Sequence, residues 1–271
     1  MTPLRRLFLI LNLRTLVITA AAVLSTWACR RFGVYADFPI TLITTAVVFP
    51  IVFSIDGAYK RREAALREYA ALKTQCRNLY LATRDWVPRH APESLERVSS
   101  LLGRYLAACH RALASPPEQV ADLSEAVYAL QSDLSLFIRG DLRSTGLAAG
   151  ELSRANQYLA LSSQAFENLR HIHQYRTPRT LRAFSDLFIT ILPPLYGPYF
   201  AFVSLEYAPS LHYVLPVVLS VILGSLDNIQ EHLEHPFDGI GEDDLEFNAP
   251  RSFDGQTPAA PRMFASKDLG E

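Results

Sequence analysis

The sequence predicts an all-α integral membrane protein with four membrane-spanning helices and a cytosolic helical region. Hydrophobic residues make up 49% of the 271 residues and are concentrated in four stretches. No segment shows the strict alternation of apolar and polar residues that is typical of a strand. The 26 basic and 27 acidic residues leave a net charge of −1, so bulk charge gives no indication of a nucleic-acid partner.

Each of the four apolar stretches approaches the roughly 20 residues needed to cross a hydrocarbon core of about 30 Å. They run over residues 7–29, 38–55, 187–205 and 207–226. The first lacks the cleavage site of a signal peptide in the usual place, so we interpret it as a retained helix. The second and third contain no charged residue, although prolines interrupt the third. Their arrangement as two pairs predicts a multi-pass protein.

The long segment between the two pairs has the three- and four-residue apolar spacing of amphipathic helices, broken by prolines and glycines. The tail after residue 248 is rich in Pro, Gly, Ser and charge, a composition typical of disorder. We therefore expect a first transmembrane pair, a cytosolic helical region, a second transmembrane pair, a cytosolic helix end with an acidic turn, and a disordered tail. The predicted boundaries are 1–56, 57–182, 183–226, 227–248 and 249–271.

Charge is distributed unevenly along the chain. Residues 57–182 contain 18 basic and 12 acidic residues, whereas residues 227–271 contain three basic and 11 acidic ones. Basic residues flank the segment between the two pairs, so the positive-inside rule predicts that this segment and both termini are cytoplasmic. Arg30 and Arg31 would then lie on the outer side, against the rule. We expect a plasma membrane or a bacterial-type inner membrane.

Three segments resemble the bestrophin family of chloride channels. They are FSIDGAYKRREAAL at 53–66, HQYRTPRTLRAF at 173–184 and GSLDNIQEHLEHPFDGIGEDDLEFN at 224–248. Their order fits the family over residues 1–248. His235 departs from the family pattern, and Ile240 and Gly241 lengthen the turn. The resemblance implies a pentamer of all-α subunits around one central pore, with the second membrane helix lining a narrow neck.

Thr45, Phe49 and Phe53, here called the neck triad, are spaced four residues apart and share one face of a helix. A narrow apolar ring holds water poorly and excludes a hydrated ion. The resemblance implies that these residues form three stacked collars of the neck. Thr45 departs from the usual apolar residue, and its hydroxyl would make the outermost collar wetter. The alternative is that the aromatic residues pack against neighbouring helices.

Basic residues mark the predicted inner opening of the pore. The resemblance implies a second constriction before the third membrane helix, where Thr177-Pro178 is followed by Arg179, with Arg182 one turn later. A ring of arginines around an opening would attract anions and repel cations. Alternatively, both are positive-inside anchors that face lipid headgroups.

An acidic cluster follows the fourth apolar stretch. Glu242, Asp243, Asp244 and Glu246 offer the hard oxygen ligands that suit Ca²⁺, and in animal bestrophins a comparable cluster forms a calcium clasp. The longer turn here disturbs the register, and an ordinary solvated charge run is the alternative. We expect no required cofactor.

The sequence contains no Gly-x-Ser-x-Gly, P-loop, Gly-x-Gly-x-x-Gly or HExxH motif, and we expect no enzymatic activity. The predicted function is a passive channel for chloride or similar small anions. One alternative is a non-conducting, membrane-anchored interaction protein with the same fold. Another is a secondary transporter, which the proline-broken third stretch favours and the absence of an inverted repeat disfavours.

Overall fold

The structure is a computed structural model that describes residues 12–87, 91–175, 179–206, 211–234 and 237. Eight α-helices and no β-strand occur in these ranges, which confirms the predicted all-α class. The helices are α1 (Leu13–Phe32), α2 (Ile40–Asp85), α3 (Pro92–Leu113), α4 (Val120–Phe137), α5 (Ala149–Gln174), α6 (Arg179–Leu195), α7 (Gly197–Glu206) and α8 (Leu211–Glu234). A 3-10 turn at Pro117–Gln119 precedes α4, and a π-helical turn at Ile138–Leu142 follows it.

The described chain divides into two compact units. Unit 1 comprises residues 12–64 and 175–237, and unit 2 comprises residues 65–174. The division falls within α2, after Ala64. No finding tests the five segments predicted from the sequence, and those boundaries stay predictions.

Unit 1 is built around α1, which packs against α6, α7 and α8. Asn12 caps the helix because its side chain accepts a hydrogen bond from the Thr15 backbone N–H at 2.8 Å. Gly33 ends the helix with φ of 72°, and the Val34 N–H donates to the Cys29 carbonyl at 2.8 Å, as in a Schellman motif. Among the described residues of the unit, an apolar cluster is formed by Ile18, Val47, Ile51, Ile189, Leu192, Tyr196, Phe200 and Leu223.

The junction of α6 and α7 is a bend of 41°. Pro193, Pro194 and Pro198 surround it, and each lacks a backbone N–H. In a continuous helix the Pro194 carbonyl would accept from residue 198, which is proline. The hydroxyl of Ser25 on α1 donates to that carbonyl instead, at 2.7 Å. A serine from a neighbouring helix therefore satisfies a backbone group that the prolines leave open.

Two described helices are long and apolar enough to cross a membrane. They are α2 from Ile43 and α8 from Tyr213, and the bent pair α6–α7 gives a third if it is one span. Within the described residues α1 does not reach this standard. It carries Arg14, Arg30 and Arg31, and the start of the predicted first stretch, 7–11, lies outside the described residues. The membrane character of the chain is supported, but the predicted count of four spans is not confirmed.

Unit 2 contains the second half of α2 together with α3, α4 and α5, and α3 packs against both α4 and α5. Its centre is the fully buried Tyr105. The Tyr105 hydroxyl donates to the Ser162 carbonyl at 3.3 Å and accepts from the Gln131 amide at 3.2 Å. The buried Tyr105 hydroxyl thus acts as both a hydrogen-bond donor and an acceptor within the unit.

Candidate pore-lining face

The first half of α2 has a covered face and an open face. The covered face consists of Val47, Ile51, Ser54 and Ala58, each no more than 3% exposed. These residues follow one another at intervals of four, three and four, which places them on one side of the helix. Val47 and Ile51 belong to the apolar cluster of unit 1, so the other residues of that cluster cover this side of the helix.

The neck triad lies on the opposite side of α2. Thr45 is exposed, Phe49 is 61% exposed and Phe53 is 60% exposed. The two phenyl rings meet edge to face, with centroids 4.9 Å apart and planes at 83°. The rings therefore pack on each other and are left largely uncovered by the described chain. A ring of identical subunits would turn such faces into stacked apolar collars.

An ionic cluster that the sequence analysis missed joins three helices of unit 1. The Arg14 guanidinium on α1 donates to Asp227 on α8 at 2.9 Å and to Asp186 on α6 at 3.1 Å. It also donates to the Thr190 hydroxyl at 3.0 Å. A planar guanidinium has donors enough to serve several acceptors at once, which a lysine would not match.

The Arg14 cluster had a recognisable signal in the sequence. Each of its three charged residues stands inside or directly beside a predicted apolar stretch: Arg14 within the first, Asp186 before the third and Asp227 after the fourth. Charges in such places are costly and tend to pair with one another. The spacing along the chain, however, does not specify which of them meet.

Arg182, predicted at the inner opening, forms ion pairs within unit 1. Its guanidinium contacts Glu234 at 3.0 Å and Glu231 at 3.4 Å, both on α8. The Glu234 side chain is only 2% exposed, and its other oxygen accepts from the Gln230 amide at 3.0 Å. The positive charge of Arg182 is thus balanced by carboxylates of the same unit.

The side chains of the remaining predicted site residues lie outside the described part of the structure. Arg179 is the first residue of α6, and its side chain lies outside the described part of the structure. The acidic cluster Glu242, Asp243, Asp244 and Glu246 also lies outside it. The roles predicted for these residues, calcium binding included, stay predictions.

The comparisons with known proteins identify the fold. The sequence matches no protein-family model and no curated protein. A bacterial Bestrophin homologue from Klebsiella pneumoniae superposes with a TM-score of 0.70 at 18% identity, covering 87% of this chain and 92% of that chain. A point-mutated form of that homologue gives 0.70 at 18%, covering 87% and 94%. A variant of a membrane protein gives 0.70 at 19%, covering 87% and 92%.

Identity below one fifth establishes architecture and leaves activity to be argued from the site. The superposition extends over most of both chains, which agrees with the order of the three segments that resemble the family. The resemblance predicted from the sequence is therefore confirmed at the level of structure: this chain has the fold of the bacterial bestrophin homologues.

Proposed function

We propose that the chain is one subunit of a passive anion channel, through which chloride or a similar small anion moves down its gradient. The observation that carries the proposal is the open face of α2 in a chain with the bestrophin fold. Two large aromatic side chains, Phe49 and Phe53, are more than half exposed there, opposite a fully covered face. A subunit that contributes an apolar collar to a shared pore requires this arrangement.

The neck triad would act as the gate. In a ring of subunits, Phe49 and Phe53 form two apolar collars, and a narrow apolar collar loses its water and stops hydrated ions. Thr45 adds a hydroxyl to the outer collar, which favours rewetting there. Conduction then needs no covalent chemistry, cofactor or nucleic acid, only a change in the width or wetting of the neck.

The finer points of the proposal come from the family resemblance and the charge pattern. They are a homopentamer in a lipid bilayer, cytoplasmic termini, and a location in a plasma or inner membrane. At the inner opening, Arg179 is the residue assigned to anion attraction. Arg182 contributes less to that field because its charge is paired with Glu234 and Glu231.

The gate assignment is tested by Phe49→Ala in liposomes that contain the purified protein. Truncating Phe49 widens and wets its collar, so we expect chloride efflux to rise severalfold over wild type. The matched control is Phe32→Ala at the end of α1, where the phenyl ring is 78% exposed but is not on α2. Equal efflux from wild type, Phe49→Ala and Phe32→Ala would contradict the assignment of the neck triad.

A further inference from the structure

The open face of α2 continues past the neck triad into two charged residues. With 3.6 residues per turn, Phe49, Phe53, Asp56 and Lys60 fall within a sector of about 60° around the helix axis. The side chain of Asp56 is 50% exposed and that of Lys60 is 72% exposed. Ser54, which follows Phe53, and Ala58, which lies between Asp56 and Lys60, are buried on the opposite side of the helix. The charged pair therefore extends the line of the two aromatic residues along the helix.

Asp56 and Lys60 neutralise each other in this structure. The two residues are one turn apart along α2. The Lys60 ammonium donates to the Asp56 carboxylate, with Nζ 2.6 Å from Oδ2. An exposed pair of this kind contributes little to stability. Its larger effect is on the local field, because each subunit presents one positive and one negative charge at the same level of the face.

We propose that Asp56 and Lys60 set the charge selectivity at the inner end of the neck. Lys60 supplies the cation that attracts anions to the neck, and Asp56 moderates that attraction by holding the ammonium. The inference rests on the proposed channel function and adds two specificity-determining residues to it. Charges that line a cleft with low-dielectric walls raise the local concentration of counter-ions, and repeating them around a ring multiplies the effect.

Lys60 differs from Arg182 in a way that favours this assignment. One of the two partners of Arg182, Glu234, is almost completely buried, so that ion pair helps to hold α6 against α8. The partner of Lys60 is half exposed and lies on the same helix, one turn away. The Lys60 ammonium therefore keeps its contact with solvent, which an ion at the neck would share.

The test compares single-charge variants in planar bilayers under a KCl gradient. Asp56→Asn releases the Lys60 charge, so we expect the chloride-to-potassium permeability ratio to rise at least about twofold in 0.1 M salt. Lys60→Gln leaves Asp56 uncompensated, so the ratio falls below wild type. The double variant returns towards the wild-type ratio. All three shifts shrink in 1 M salt, where the Debye length is about 3 Å instead of about 10 Å.

Glu167→Gln is the matched control. Glu167 lies on α5, is 40% exposed, pairs with Arg170 at 2.8 Å and accepts from the Tyr128 hydroxyl at 2.8 Å, so its neutralisation removes a paired charge that does not belong to α2. We expect the control to keep the wild-type ratio. Thermal unfolding in detergent checks that every variant is folded. We expect wild-type midpoints for the variants of Asp56 and Lys60, because this ion pair is exposed.

The possible outcomes separate this inference from the proposed function. A wild-type channel that conducts anions while both single variants keep its ratio overturns the charge assignment and leaves the channel intact. Shifts of Asp56→Asn and Lys60→Gln in the same direction also overturn it. A folded wild type that passes no anion overturns the proposed function, and the charge assignment fails with it.

Discussion

At the scale of single residues, two glycines of unit 1 lie where helices approach closely. A Cβ added at Gly224 on α8 would lie 2.5 Å from the Thr15 hydroxyl oxygen and 2.6 Å from its methyl carbon. The Thr15 hydroxyl is itself held by the side chain of Asn12 at 3.1 Å. At Gly197 on α7, an added Cβ would lie 3.0 Å from the backbone carbonyl carbon of Ser25. Small residues at such contacts are typical of membrane helix packing.

Gly224→Ala is therefore expected to destabilise the protein. The β-branched Thr15 has little freedom to move aside, so α1 and α8 must separate, at a cost of about 1–3 kcal/mol. A lower midpoint of thermal unfolding in detergent measures this cost. Gly150→Ala is the control, because an added Cβ there meets nothing within 4 Å. A midpoint for Gly224→Ala equal to that of Gly150→Ala would contradict the close approach.

Arg14→Gln is expected to destabilise unit 1, because it leaves Asp186 and Asp227 close together without their shared cation. Arg14 is 41% exposed and Asp227 16%, so solvent screens part of the effect, and a loss of about 1–2 kcal/mol is expected. Adding Asp227→Asn to Arg14→Gln removes one of the two negative charges that repel each other, so part of the stability is recovered. A double-mutant cycle by thermal unfolding measures this coupling. Strictly additive losses would show that the ion pairs do not interact energetically.

At the scale of elements, α2 shows what the sequence was able to predict about the candidate site. A spacing of four residues within one uncharged stretch predicted that Thr45, Phe49 and Phe53 share one face of a helix. The spacing did not specify whether that face was covered, because coverage depends on residues from α1 and α6 to α8. The packing of Val47 and Ile51 against those helices leaves the triad on the open side.

The long-range charge pairs were beyond the reach of periodicity for the same reason. Arg182 and Glu234 are 52 positions apart, and Arg14 and Asp227 are 213 apart. Arg182 alone was consistent with a positive-inside anchor at the membrane surface. Only the packing of α6 and α8 shows that Arg182 is balanced, which changes its expected contribution to an anion-attracting opening.

The two buried cysteines of unit 2 are expected to be unreactive in the folded protein. Cys76 on α2 and Cys109 on α3 are 1% and 2% exposed. Burial raises the pKa of Cys76 to about 12 and holds the pKa of Cys109 well above its ordinary value. Both thiols therefore stay protonated at pH 8, and only the thiolate reacts with alkylating reagents.

Iodoacetamide labelling followed by mass spectrometry measures this protection. We expect both cysteines to be unmodified from pH 7 to pH 9 in the folded protein, since this range lies below their raised pKa values. Denaturation exposes the thiols and restores an ordinary pKa, so both are then modified. Labelling of either residue in the folded protein at the rate seen after denaturation would contradict the burial of that thiol.

At the scale of the whole molecule, hydropathy and three short segments were sufficient to predict the fold class and its family likeness. They worked because membrane crossing demands long apolar helices, which leave a strong signal in any single sequence. The number of spans was harder, because α1 carries arginines at both ends and the third predicted span is bent at its prolines. The predicted subunit number and ion preference stay predictions, because both would depend on contacts between copies of the chain.

The reversal potential of the purified wild-type protein in a planar bilayer under a KCl gradient tests the proposed anion conduction most directly. An anion channel predicts a current that reverses near the equilibrium potential of chloride and needs no added substrate. A folded protein that carries no current, or one whose current reverses at the potassium equilibrium potential, would contradict the proposal of an anion channel.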